Sequence, residues 1–236
     1  MKRSEFFAGL KAGLPVCIGY FSVSFGFGAM AAAQSLTIWQ AILISASNLT
    51  SAGQFAGLTV IAAGSSLVEM VLTQLVINSR YALMSLALGP RLGEAAGPGK
   101  RLLAAFFNTD EVFALGMARG NRLTAAYFLG VGLIAALGWV SGTALGAAAG
   151  SLLPEAVQTA LGVMLYGMFI AIIVPQAKAE RPILICVFFA LLFSCGFAWI
   201  PGLNRVSDGL AIVISTVAAA ALCAVLFPVE VAEAAQ

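Results

Sequence analysis

The sequence predicts an all-α, polytopic integral membrane bundle with six full spans and two broken or re-entrant segments. Three observations predict it. Hydrophobic residues make up 61% of the 236-residue chain and charged residues only 9%, whereas a soluble domain carries about 25% charged residues. So few charges cannot cover a water-facing surface around a core of this size. Several apolar runs also reach the roughly 20 residues that a helix needs to cross a hydrocarbon layer about 30 Å thick. Finally, basic residues gather in the short stretches between those runs, where they orient membrane helices. The net charge is only +2, so nothing points to a nucleic-acid partner, and the expected surrounding is the lipid bilayer.

The first run, residues 13–33, follows Lys2, Arg3 and Lys11 and ends in Ala31, Ala32 and Ala33, a pattern that secretory signal peptides share. It is longer than the apolar region of such a peptide, about 7–15 residues, and is rich in Gly and Phe, so it reads as a retained helix. Residues 67–88, 123–147, 156–174, 183–200 and 207–227 supply the other five full spans. Gly138, Gly142, Gly146 and Gly150 recur every four residues, which makes a smooth helix groove where another backbone can approach closely. The loop from Gly89 to Arg101 divides a single transmembrane domain into N- and C-terminal helical groups, between which no sequence repeat is evident.

Two further stretches interrupt the apolar pattern. Residues 38–64 carry Ser45, Ser47, Asn48, Thr50, Ser51, Gly53 and Gln54 at their middle, and residues 102–118 carry Asn108, Thr109, Asp110 and Glu111. If both return to their side of origin, Lys2, Arg3, Lys11, Arg91, Lys100, Arg101, Arg119, Arg122, Lys178 and Arg181 all lie in the cytoplasm with both termini, and Arg205 lies outside. If both cross, giving eight spans, Arg91, Lys100 and Arg101 join Arg205 outside. The first layout obeys the positive-inside rule better. In either layout uniform helices are not expected, because interrupted backbone in lipid must be satisfied by protein or water, and broken helices in transporters line the substrate site.

The residues that break the pattern are the candidates for chemistry. Asn48, Thr50, Ser51, Gly53 and Gln54 can hold a polar or zwitterionic solute; the other account is hydrogen bonding between helices. Asn78 and Arg80 lie deep in the run 67–88, where an isolated cation is costly. Arg80 can grip a substrate carboxylate, pair with Asp110 or Glu111, or alternate between the two. Asp110 and Glu111 point about 100° apart on a helix, and carboxylates at membrane depth can take up and release protons. Glu69, near the start of its run, reads as a solvated residue at a helix N-terminus.

His is absent, and Cys17, Cys186, Cys195 and Cys223 are dispersed through apolar runs without a CxxC pair. Neither a metal site nor a cofactor is therefore expected, and no nucleophile–base set suggests an enzyme. The residues themselves point to a transporter with a polar site at mid-depth, with a channel as the alternative.

Gly13-Leu14-Pro15, Phe25-Gly26, Ser51-Ala52-Gly53-Gln54-Phe55-Ala56, Asn78-Ser79-Arg80-Tyr81 with Met84-Ser85, and Thr109-Asp110-Glu111 before Phe113-Ala114 occur in that order. In these motifs the chain resembles the AzlC family, the large subunits of two-component branched-chain amino acid exporters. Ser51 stands where the family more often has Gly, and Ser79 where Leu is usual. The resemblance implies export of branched-chain or other hydrophobic amino acids across the bacterial inner membrane, together with a small AzlD-type membrane subunit. The substrate is expected on Asn48, Ser51, Gly53, Gln54, Phe55, Asn78 and Arg80, its side chain resting on Phe25 and Phe55. Asp110 and Glu111 are the expected proton-coupling pair of an antiporter, and another small polar solute is the alternative cargo.

Overall fold

The computed structural model describes residues 2–92, 96–150 and 180–228, and residues 152, 154, 156, 170, 173, 174 and 177–179 between 150 and 180. The span expected at 156–174 therefore lies almost wholly outside the described residues. Among those residues the regular elements are helices: α1 (Lys2–Ala33), α2 (Ile38–Ser47), α3 (Ser51–Ala62), α4 (Leu67–Arg91), α5 (Pro98–Phe106), α6 (Asp110–Ala118), α7 (Ala125–Gly150), α8 (Arg181–Trp199) and α9 (Asp208–Leu226), with single 3-10 turns at Gly120–Arg122 and Leu203–Arg205. Five of them, α1, α4, α7, α8 and α9, are long and apolar enough to cross a bilayer.

The distribution of side chains is that of a protein solvated by lipid. Leu67, Trp199 and Val225 are at least 80% exposed, while Ser24, Ser45, Thr73 and Thr143 are fully buried. In water the arrangement would run the other way.

Both interrupted stretches fold as two short helices around a break. Thr37 and Gln40 form a capping box that starts α2, satisfying two backbone donors at once. The helix ends at Asn48, whose backbone is extended, and Thr50 accepts the Gly53 N–H at the start of α3 (3.3 Å). Pro98 opens α5, where its fixed φ costs nothing, and the extended Thr109 precedes α6. With 9 to 12 residues each, these helices span about 14–18 Å, roughly half of the hydrocarbon layer.

The chain forms two compact units, Met1–Leu58 with Asn78–Leu165 and Thr59–Ile77 with Tyr166–Gln236. The first is built on α1 and α7, which lie parallel. A Cβ at Gly138, Gly142, Gly146 or Gly150 would meet the backbone of Cys17, Phe21, Phe25 or Ala29 respectively, so two ladders of period four run in register. The groove expected from the glycines of α7 is filled by α1 of the same chain, and Gly9 and Gly28 of α1 approach the α7 backbone equally closely. Contacts of this kind gain packing energy over the whole backbone, which is what holds helices together when lipid already solvates apolar side chains.

Within this unit α5 and α6 form a hairpin that makes no net crossing. Glu5 and Phe6 at the start of α1 line the same cavity as Leu92 and Ala96, just beyond α4. The start of α1 and the end of α4 are therefore at one end. Arg101 of α5 donates to Ala96 O and Gly89 O, Arg91 donates to Asn121 Oδ1 (3.1 Å), and Arg119 pairs with Glu5 (2.9 Å). So α5 leaves and α6 returns at that same end.

In the second unit α8 packs on α9, and the first two turns of α4 meet the start of α9. Glu69 is not the solvated residue expected: it is 6% exposed and accepts the Gly209 N–H (3.0 Å). The sequence around it, Ser66-Leu67-Val68-Glu69, has the form of a capping box. Ser66 does cap the Glu69 N–H (3.2 Å), but the carboxylate reaches across to another helix.

Candidate functional site

The breaks of the two hairpins converge on one small polar pocket. Leu49 and Ser51 reach it from the first break, and Thr109, Asp110 and Glu111 from the second. Tyr20, Tyr81 and Trp139 complete the lining, each near the middle of a long helix, so the pocket sits at mid-depth. Helices α3 and α6 both begin at this point, and their first turns present the positive ends of two helix dipoles.

The charged groups have separate partners, as the angle between neighbouring helix positions requires. Arg80 Nη1 lies 2.8 Å from Asp110 Oδ2, with both side chains about two-fifths exposed (41% and 37%). Its guanidinium also lies 5.1 Å from the Tyr81 ring centroid, close enough for cation–π attraction. The Tyr20 hydroxyl is hydrogen-bonded to Thr109 Oγ1 (2.7 Å) and to the Glu111 carboxylate. This draws the Thr109 side chain away from capping α6. The second carboxylate therefore faces a phenol and an edge-on indole, since Tyr20 and Trp139 pack 5.2 Å apart.

Other candidate residues fall around this pocket in distinct ways. Asn78 accepts from Thr50 Oγ1 (2.8 Å), tying the first break to α4, and Asn108 donates to Ser85 Oγ (3.1 Å), tying the second break to the same helix. Gly53 is buried one turn into α3, and Asn48 is half-buried at the end of α2. Gln54 lies behind the pocket wall, 2% exposed. It accepts from Trp139 Nε1 (2.6 Å) and donates to Ser45 Oγ (3.0 Å), which is bonded to Thr143 Oγ1 (2.7 Å). That chain of four side chains pins α2 and α3 to α7. Phe55 packs edge-to-face on Phe27 at 5.4 Å, within an apolar cluster that also holds Ala31, Ala41, Leu58 and Ala147. Phe25 turns its backbone to Gly146. The structure thus gathers Ser51, Asp110 and Glu111 at the pocket, with Arg80 and Asn78 beside it, and sets Gln54 and Phe55 behind it.

Sequence reasoning did not single out Tyr20 or Trp139 as lining residues. Both stand in apolar runs, where an aromatic ring is indistinguishable from core. The pocket encloses about 10 Å³, space for roughly one water molecule.

The fold and site together define a polytopic helical membrane protein in which two half-membrane hairpins meet tip to tip on a charged, aromatic-lined pocket. The family model described as AzlC protein matches residues 15–153, which hold both hairpins and every residue of the pocket. The chain belongs to the AzlC family. It is 33% identical over 196 residues to the "Inner membrane protein YgaZ" of Escherichia coli (strain K12), covering 80% of this chain and 79% of that one. It is 30% identical over 182 residues to an "Uncharacterized membrane protein" of Archaeoglobus fulgidus, covering 76% and 80%. No solved structure matches the chain.

Proposed function

We propose that this chain is a secondary transporter that exports branched-chain or other hydrophobic amino acids, the large subunit of a two-subunit permease of the inner membrane. The observation that carries the reading is the meeting of two broken hairpins at mid-depth around paired charges. Unwound backbone in lipid is tolerated where it lines a cavity, and half-helix N-termini suit an anionic substrate group. An amino acid matches this pattern of charge: its carboxylate fits Arg80 and the start of α3 at Ser51, and its ammonium fits the carboxylates of Asp110 and Glu111.

In the structure Arg80 is held by Asp110. Substrate entry would exchange that partner for the substrate carboxylate while the tips of the hairpins part. The released Asp110, or Glu111 on Tyr20, is then the group that takes up a proton, which gives antiport of amino acid against proton. The inner-membrane assignment is supported by the name of the Escherichia coli relative. The small AzlD-type subunit, a separate chain, would cover part of the apolar surface.

The test is flux of labelled valine or leucine in vesicles holding this chain with the small subunit. Saturable counterflow, lost in Arg80→Ala and in the pair Asp110→Asn/Glu111→Gln, is the expected result. Wild-type flux in Arg80→Ala would count decisively against this site, and flux that never saturates would favour a channel.

A further inference from the structure

We propose that Glu69 and Thr73 form a site for a monovalent cation, a sodium ion, at the junction of α4 and α9 in the second unit. Glu69 is 6% exposed, and its carboxylate accepts the Gly209 N–H at the start of α9. One turn further along α4, Thr73 is fully buried and its hydroxyl oxygen has no hydrogen-bond partner. Both oxygens lie on the same side of the first turn of α9, against Gly209: a Cβ added there would lie 2.5 Å from Glu69 Oε1 and 2.9 Å from Thr73 Oγ1. The Ser207 hydroxyl, at the same end of α9, is likewise buried and without a partner.

The ion pairs among the described residues are Arg80–Asp110 and Arg119–Glu5, so the Glu69 carboxylate lacks a cationic partner there. The charged residues at this end of α9, Arg205 and Asp208, are exposed. The dipole of α9 offsets only part of a full negative charge, and a buried carboxylate without a full counter-charge is costly. A single positive charge held between a carboxylate and a hydroxyl would neutralise Glu69 and satisfy Thr73 at once. Oxygen donors of this kind suit a hard cation.

The experiment measures the unfolding temperature of the purified full chain in sodium chloride and in N-methylglucamine chloride at matched ionic strength, over a series of pH values. A ligand that binds only the folded chain raises that temperature by mass action. Sodium-dependent stabilisation that vanishes in Glu69→Gln assigns the site to sodium. Stability that is indifferent to sodium at every pH would overturn the proposal. Glutamine can still accept the Gly209 N–H, so if Glu69 were merely a cap the variant would respond as the wild type does, and the proposal would be overturned. If Glu69→Gln does not fold, Thr73→Val decides. It should need roughly tenfold more sodium for half of the effect, and an unchanged response removes the site. Because binding is read without flux, failure here leaves the transport reading standing.

Discussion

A guanidinium at mid-depth of a membrane helix needs a counter-charge, and Arg80 has Asp110 at 2.8 Å. The pair can be structural, functional or both, and two variants separate these roles. Arg80→Ala strands the carboxylate, so both thermal stability and flux should fall. Arg80→Ala/Asp110→Asn should regain most of the stability, because no charge is left unpaired, while flux stays lost. Recovery of flux in the double variant would make the pair purely structural. Behind the pocket, Trp139→Phe keeps a ring against Tyr20 but removes the donor to Gln54 Oε1. A buried amide oxygen without its donor costs about 1–3 kcal/mol, measurable as a lower denaturation midpoint in mild detergent. Gln54 stood out in the sequence as a polar residue beside a break. Its partners lie 9 and 85 residues away, and which way it turned was not legible.

At the scale of elements, two devices organise the first unit: backbone-close packing of α1 on α7, and hairpins that stop halfway. Gly142→Ala would drive a methyl into the Phe21 backbone and the Ser24 hydroxyl. We expect it to abolish a monodisperse peak in size-exclusion chromatography, whereas Gly19→Ala, with no atom within 4 Å of the added carbon, should behave as wild type. The hairpins make a separate prediction. In a background with the four cysteines replaced, Gly99→Cys and Arg122→Cys should react with an impermeant thiol reagent from the same face as Ser4→Cys. Gln34→Cys and Ala63→Cys should react from the opposite face. Labelling of Gly99→Cys and Arg122→Cys from different faces would mean that α5 and α6 cross the bilayer. The places where both segments break were evident from Asn48–Gln54 and Asn108–Glu111, since polar residues inside an apolar run disclose themselves locally. That the two breaks share one pocket was not, because it depends on the rotation of five helices about their axes.

For the whole molecule, a pocket of about 10 Å³ is too small for any amino acid, so the proposed transport would require the hairpin tips to separate. Trp139 lines that pocket while Trp39 and Trp199 are 74% and 80% exposed. In Trp39→Phe/Trp199→Phe, the fluorescence of the remaining Trp139 should shift to longer wavelength as valine or leucine is added, reporting the loss of its dry contact with Tyr20. An unchanged spectrum at saturating substrate would place the binding step elsewhere.

Composition and hydropathy by themselves determined that this chain lives in lipid, that its helices are long and apolar, and where two of its segments must break. Those are sums and local patterns, and each residue contributes to them without reference to distant partners. The glycine period on α7 likewise announced a close backbone contact. Only the tertiary structure decided that α1 fills the groove, that Tyr20 and Trp139 line the pocket, that Gln54 turns away from it, and that Glu69 is buried against α9. These depend on the register and rotation of helices far apart in the chain, 140 residues in the case of Glu69 and Gly209. In lipid the apolar faces that would otherwise betray that rotation are solvated as well outside the bundle as inside it.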